Sequence, residues 1–265
     1  MSKAALLLLI ASTARADVTL LLEAPFGAFW SMNPAHSAIY LPRVCAESPT
    51  ILRRCSSGEP GVVISRYHRI APYDWIAIPL IPYLYAVERE DQVPAADGPE
   101  EVARLRDAYR RSHLEDVARD QSDGRPPPGD WRQLIGEAYD RTIYAFTIQT
   151  STEQDDDLLR ALNSRPNVNG FSLLFRNCAD FAQQIIDFYY PSSISRDSIP
   201  DFGVMTPRHV AASLVRYSRQ HPELAFSTSV IEQVSGTMPR SKATRRGFLS
   251  KISYKEYVLP LAPLN

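Results

Sequence analysis

The run Arg176-Asn177-Cys178-Ala179-Asp180-Phe181 constrains this chain more than any other stretch. Phe181, Ile185, Phe188 and Tyr189 then recur at helical spacing until Pro191 ends the pattern. A polar step followed by such a stripe places Cys178 in the first turn of an amphipathic helix anchored by its apolar face. There, unpaired backbone N–H groups and the helix dipole favour a thiolate, and the same N–H groups suit an oxyanion.

The 265 residues are 45% hydrophobic and carry a formal net charge of -1, which leaves ample core and no electrostatic case for nucleic acid. Basic residues do gather toward the end of the chain, over about 238–265 (Arg240, Lys242, Arg245, Arg246, Lys251 and Lys255). Residues 1–16 have the pattern of a secretory signal: Lys3, an apolar run from Ala4 to Ala11, and Ala14-Arg15-Ala16 as a cleavage site before Asp17. The run is too short to span a bilayer, and no later segment is long and apolar enough. The expectation is an exported protein, periplasmic or secreted, with residues 17–265 as one domain.

Export changes the meaning of the three cysteines. Cys45 and Cys55 lie on a polar connection where an oxidising compartment would let them pair. Cys178 is then the odd thiol, either buried and inert or reactive.

Strands are expected at Val18–Leu22, from His36 to Leu41, over Val62–Tyr67, and from Trp75 to Val87, where Pro79 and Pro82 imply an edge or an interruption. A helical insertion over about 95–141 follows, opened by Pro99 and suited to a lid or a family-specific elaboration. A strand at Thr142–Gln149 and a helix from Thr152 come next. A short apolar segment, Phe171–Phe175, leads to the cysteine. Beyond it come a helix signalled by Thr206-Pro207 and two strand-like pieces, Phe226–Val234 and Tyr254–Leu259. The fold class is α+β: a small antiparallel sheet packed against the helix that carries the cysteine.

His36 opens a strand after the turn Met32-Asn33-Pro34-Ala35, a position from which an imidazole reaches a cleft edge and serves Cys178 as general base. A third group should orient that imidazole. Antiparallel pairing of the His36 strand with Val62–Tyr67 puts His68, Arg66 and Ser65 in range, and His68 is preferred. Asn177 and Asp180, flanking the thiol, are candidate substrate contacts. H-E-x-x-H, C-x-x-C, P-loop and G-x-S-x-G motifs are missing from the sequence, so no metal or cofactor is expected.

A histidine opening a strand (Pro34-Ala35-His36-Ser37-Ala38-Ile39-Tyr40-Leu41) far ahead of Asn177-Cys178-Ala179-Asp180-Phe181 resembles the circularly permuted branch of the NlpC-type papain-like superfamily. That branch includes the lecithin:retinol acyltransferase-like proteins. The resemblance covers roughly residues 30–190. It implies a permuted papain-like fold with Cys178 as nucleophile, His36 as base and a polar third residue on the following strand, which His68 fits loosely. Ala35 stands where the family commonly has glycine. Members act on amide, ester or thioester bonds in wall peptides, proteins and lipids, so the resemblance implies a cysteine hydrolase or acyltransferase. Export points to cell-wall peptide as substrate, then to a lipid acyl group. The contrasting expectation is a non-catalytic wall- or lipid-binding module that keeps the fold.

Overall fold

Apolar residues on both faces of a strand require cover on both sides of its sheet, and Val18-Thr19-Leu20-Leu21-Leu22 is such a run. The computed structural model describes residues 16–25, 35–70, 72–172, 174–195 and 205–241. Its strands are β1 (Ala16–Glu23), β2 (His36–Leu41), β3 (Val44–Ser48), β4 (Ile51–Arg54), β5 (Val62–Ser65), β6 (Ile76–Pro79), β7 (Ile143–Thr150) and β8 (Ser227–Ile231). Its α-helices are α1 (Leu80–Tyr85), α2 (Pro99–His113), α3 (Glu137–Asp140), α4 (Thr152–Asn163), α5 (Cys178–Tyr189) and α6 (Pro207–Ser218). The expected signal segment lies outside the described residues except for Ala16, which begins β1. The basic C-terminal residues after Arg240 and the strand at Tyr254–Leu259 also lie outside them.

Six strands form one sheet in the order β6-β5-β2-β1-β7-β8, every neighbouring pair antiparallel. Side chains alternate between two cores. Val18, Leu20, Leu22, Ile39 and Ile64 pack with Leu158 of α4, Phe181 and Ile185 of α5, and Leu214 of α6. Leu21, Ala38, Tyr40, Val63 and Ala145 pack on the other face with Tyr83 of α1, Val102 and Tyr109 of α2, and Trp131 and Tyr139 of the insertion. The architecture is therefore mixed α+β, an antiparallel sheet with helices on both faces, and α5 lies across β2.

Two local expectations need correcting. The Trp75–Val87 segment is an edge strand only as far as Pro79. Leu80–Tyr85 is helical, with Pro82 in the first turn where no intrahelical N–H partner is needed, and Ala86 closes it in the left-handed region. Residues 131–141 of the insertion are not a lid. Trp131, Leu134, Ile135, Ala138 and Tyr139 are buried against the sheet, because their apolar area is worth more there than over an open site. Ahead of the cysteine, Ser172 and Arg176 exchange two backbone hydrogen bonds, and Leu174 and Phe175 are exposed.

The Cys45–Gly61 connection is a hairpin, β3–β4, closed by the Cys45–Cys55 disulfide. Asn163 of α4 ties it down through both the N–H and the C=O of Leu52, and Arg43 pairs with Asp155. The bridge closes a loop of 10 residues, so replacing both cysteines with alanine should lower unfolding free energy by about 2.5–3 kcal/mol. Urea unfolding of the oxidised parent against the double variant measures the difference.

Candidate active site

Helix α5 starts at Cys178 because the residue before it and the residue two after it form a reciprocal cap. Asn177 Oδ1 accepts from the N–H groups of Ala179 (2.8 Å) and Asp180 (3.0 Å), and the Asp180 carboxylate accepts from the Asn177 N–H at 3.1 Å. Asn177 Nδ2 also donates to the Met205 carbonyl at 3.0 Å, joining the cap to the segment ahead of α6. The two residues assigned to substrate contact are thus buried, and their polar atoms hold the helix start. They set the direction of the thiol. The cap takes the N–H groups of Ala179 and Asp180 and does not use that of Cys178.

Cys178 is a free cysteine, half-buried. Burial works to raise its thiol pKa, but the facing His36 imidazole, by charge and hydrogen bonding, and Ser37 beside it outweigh burial and bring it below the ordinary thiol value. For His36, burial works to lower the pKa, and the charges of Cys178 and Glu23 outweigh it, so the imidazole holds its proton more strongly than a free histidine. Two groups far apart in the chain therefore favour a thiolate–imidazolium pair.

The pair is braced from β5 and the residues just after it. Ser65 Oγ donates to the Ser37 carbonyl at 2.7 Å, and Arg66, clamped by Asp74 at 2.8 and 3.0 Å, extends Nη1 to the Asn177 carbonyl at 3.4 Å over the Phe181 ring. One residue further, Tyr67 turns to the other face and stacks on His36, ring centroids 5.0 Å apart. His68 points elsewhere. Its ring is 45% exposed, lies against Phe171, and has Nδ1 3.6 Å from an Asp130 carboxylate oxygen. The turn after β5 thus puts Tyr67, not His68, against the His36 imidazole.

The residue directly opposite His36 in the β1–β2 register is Glu23, which the sequence analysis passed over. A carboxylate that closes an apolar strand looks like a solvated strand end, yet Glu23 is fully buried. Burial works to raise its pKa, and the charges of His36 and Arg141 outweigh it and hold it ionised. Tyr83 donates its hydroxyl to Glu23, and Arg141 Nη1 lies 3.3 Å from its other oxygen. His36 Nε2 and Glu23 Oε2 are both buried without a hydrogen-bond partner among the described residues. The only signal of this site in the sequence was the charge itself: an acidic residue ending a run of three leucines.

Among the described residues, the cysteine–carboxylate grouping suited to a metal is Cys45, Cys55 and Glu59. Its two sulfurs are already joined in the disulfide, so it does not fit an ion.

No family model matches the chain, and no curated protein matches it. Among solved structures, the chain is similar to the crystal structure of the type VI secretion system effector TseH. The identity is 11% and the TM-score 0.37, with 82% of this chain and 100% of that chain covered.

Proposed function

We propose that this protein is an exported cysteine-dependent hydrolase or acyltransferase of permuted papain-like fold. The observation that carries the reading is the pairing of Cys178 with His36 at the start of α5, where Cys178 is half-buried and its thiol pKa is lowered by the imidazole. The Cys178 thiolate attacks an acyl carbon. As the tetrahedral intermediate collapses, the bond to the leaving amine or alcohol breaks and that group takes the imidazolium proton. His36 then removes a proton from water, or from an acceptor alcohol or amine. The attack that follows breaks the thioester and returns the proton to the Cys178–His36 pair. The Cys178 N–H, which the cap does not take, serves as a backbone donor to the oxyanion. Glu23, rather than a residue on the following strand, steadies the imidazolium by its charge.

The Cys45–Cys55 bridge supports an oxidising compartment, and among the described residues no helix is long and apolar enough to cross a membrane. Export favours wall peptide as substrate. A lipid acyl group is the second reading, favoured by Val168, Leu174 and Phe175, which lie exposed within ten residues before the nucleophile.

The test needs no substrate. The rate of Cys178 alkylation by iodoacetamide is followed against pH, together with labelling by a thiol-directed acyl probe. The expected midpoint for thiolate formation lies clearly below the free-cysteine value of about 8.5, with covalent capture of the probe. An ordinary thiol profile with no capture would favour a non-catalytic binding module.

A further inference from the structure

The insertion carries a second carboxyl group into the dry interior beneath the site. Gly136, in the left-handed region at φ 76°, turns the chain into α3, whose residues Glu137, Ala138, Tyr139 and Asp140 are all buried. Arg106 of α2 holds that turn through the carbonyls of Ile135 (3.0 Å) and Gly136 (2.9 Å) and through Asp140 (2.7 Å). Glu137 and Arg141 then meet at 2.9 Å, and Arg141 also reaches Glu23. Resting on the cysteine–histidine reading above, we infer that Glu137 is a further positioning residue of this site: as a neutral carboxylic acid it donates a hydrogen bond to Glu23 and fixes the carboxylate that faces His36.

Glu23 Oε2 and both Glu137 oxygens are buried with no hydrogen-bond partner among the described residues, and both carboxyl groups lie against the Arg141 guanidinium, at 3.3 and 2.9 Å. Ionised carboxylates only accept, so a hydrogen bond between the two needs one proton. Neither Glu137 oxygen receives a hydrogen bond from the described residues, and Arg141 Nε approaches to 2.9 Å without the alignment of one. As an anion Glu137 would be unsatisfied; as an acid it has a partner. Charge balance agrees. The groups facing Glu137 are Glu23 from β1, Tyr83 from α1, Arg106 from α2, Tyr67 after β5, and Arg141 on its own segment, with His36 of β2 beyond Glu23. Arg106 is matched by Asp140, Arg141 by Glu23, and His36 by Cys178. An ionised Glu137 would leave one unmatched negative charge in a buried cluster. Burial and the neighbouring Glu23 accordingly push its pKa well above the ordinary carboxylate range, against the pull of Arg141.

Infrared spectra of the full chain at neutral pH should show the C=O stretch of a protonated buried carboxylic acid, lost in Glu137→Gln. Glutamine still donates to Glu23, so iodoacetamide should alkylate Cys178 in that variant within about twofold of the parent rate. Glu137→Met cannot donate, and its alkylation at neutral pH should be at least about fivefold slower at equal folded content. An acid with a purely structural role would leave that rate unchanged. Lack of the band in the parent, its survival in Glu137→Gln, or equal alkylation of the methionine and glutamine variants would overturn the inference. If the methionine variant does not fold, the band and the glutamine variant still decide. An ordinary thiol profile in the parent would instead strike at the cysteine–histidine pair, and the infrared band does not depend on that pair.

Discussion

Cys178→Ala is expected to abolish acyl probe capture and to lower hydrolysis by roughly a thousandfold or more, while the protein stays folded. Loss of a covalent nucleophile removes the whole two-step route and leaves only what binding and the oxyanion donors supply. The substitution deletes one half-buried sulfur and leaves the Asn177–Asp180 cap intact, so the change in stability is small by comparison. His36→Ala should match it in hydrolysis for a different reason. The sulfur remains, but the charge and hydrogen bond that lower its pKa are gone while burial still raises it, so thiolate formation moves to higher pH. Alkylation profiles of the parent and His36→Ala, with hydrolysis assays of both variants, test this. A Cys178→Ala protein as active as the parent would end the assignment.

Arg141→Met is expected to cost about 3–5 kcal/mol of unfolding free energy at neutral pH. Arg141 and Glu23 are both 0% exposed, and Arg141 is the fixed cation beside a carboxylate held ionised in the interior. Methionine fills much of the volume but leaves Glu23 as a buried anion lacking that counter-charge. The sign of the pH dependence follows from Glu23. In the parent its pKa is lowered, so its contribution is present above the ordinary value of 4.5 and is lost as pH falls through the folded-state pKa. In the variant that contribution is missing at neutral pH, so the gap between the two proteins should narrow as pH falls toward 4.5 and below. Adding Glu23→Gln should recover part of the loss, because the stranded charge is removed as well. Urea unfolding of the parent and both variants across that range provides the measurement. A gap that stays constant with pH would show that packing, not charge, is responsible.

Much of the fold was legible because its signals are local. The Cys178 helix runs to Tyr189 as its 3.6-residue stripe requires, β2 spans His36 to Leu41 as expected, and α2 opens at Pro99. Where a signal is ambiguous, the structure departs from the expectation. Trp75–Val87 is apolar throughout, and such a run has no period to separate strand from helix. The hairpin around Cys45–Cys55 was missed because its exposed strands alternate weakly. At the site, Asn177 and Asp180 looked like polar groups waiting for a substrate, whereas the backbone N–H groups of their own helix take them first.

By itself the sequence determined which thiol stands at a helix start, which histidine opens a strand, and that strands precede the helical insertion and the cysteine. Each of these depends on a few consecutive residues, where capping, periodicity and chain-breaking prolines act. Only the tertiary structure decided what surrounds the imidazole. Glu23 faces His36 because of the β1–β2 register, Tyr67 rather than His68 meets the ring because of the turn after β5, and Glu137 and Arg141 arrive beneath it because a buried turn packs on the sheet. Those neighbours are set by burial and pairing between segments, some of them more than a hundred residues apart, and a charge in a sequence carries no mark of whether it will be solvated.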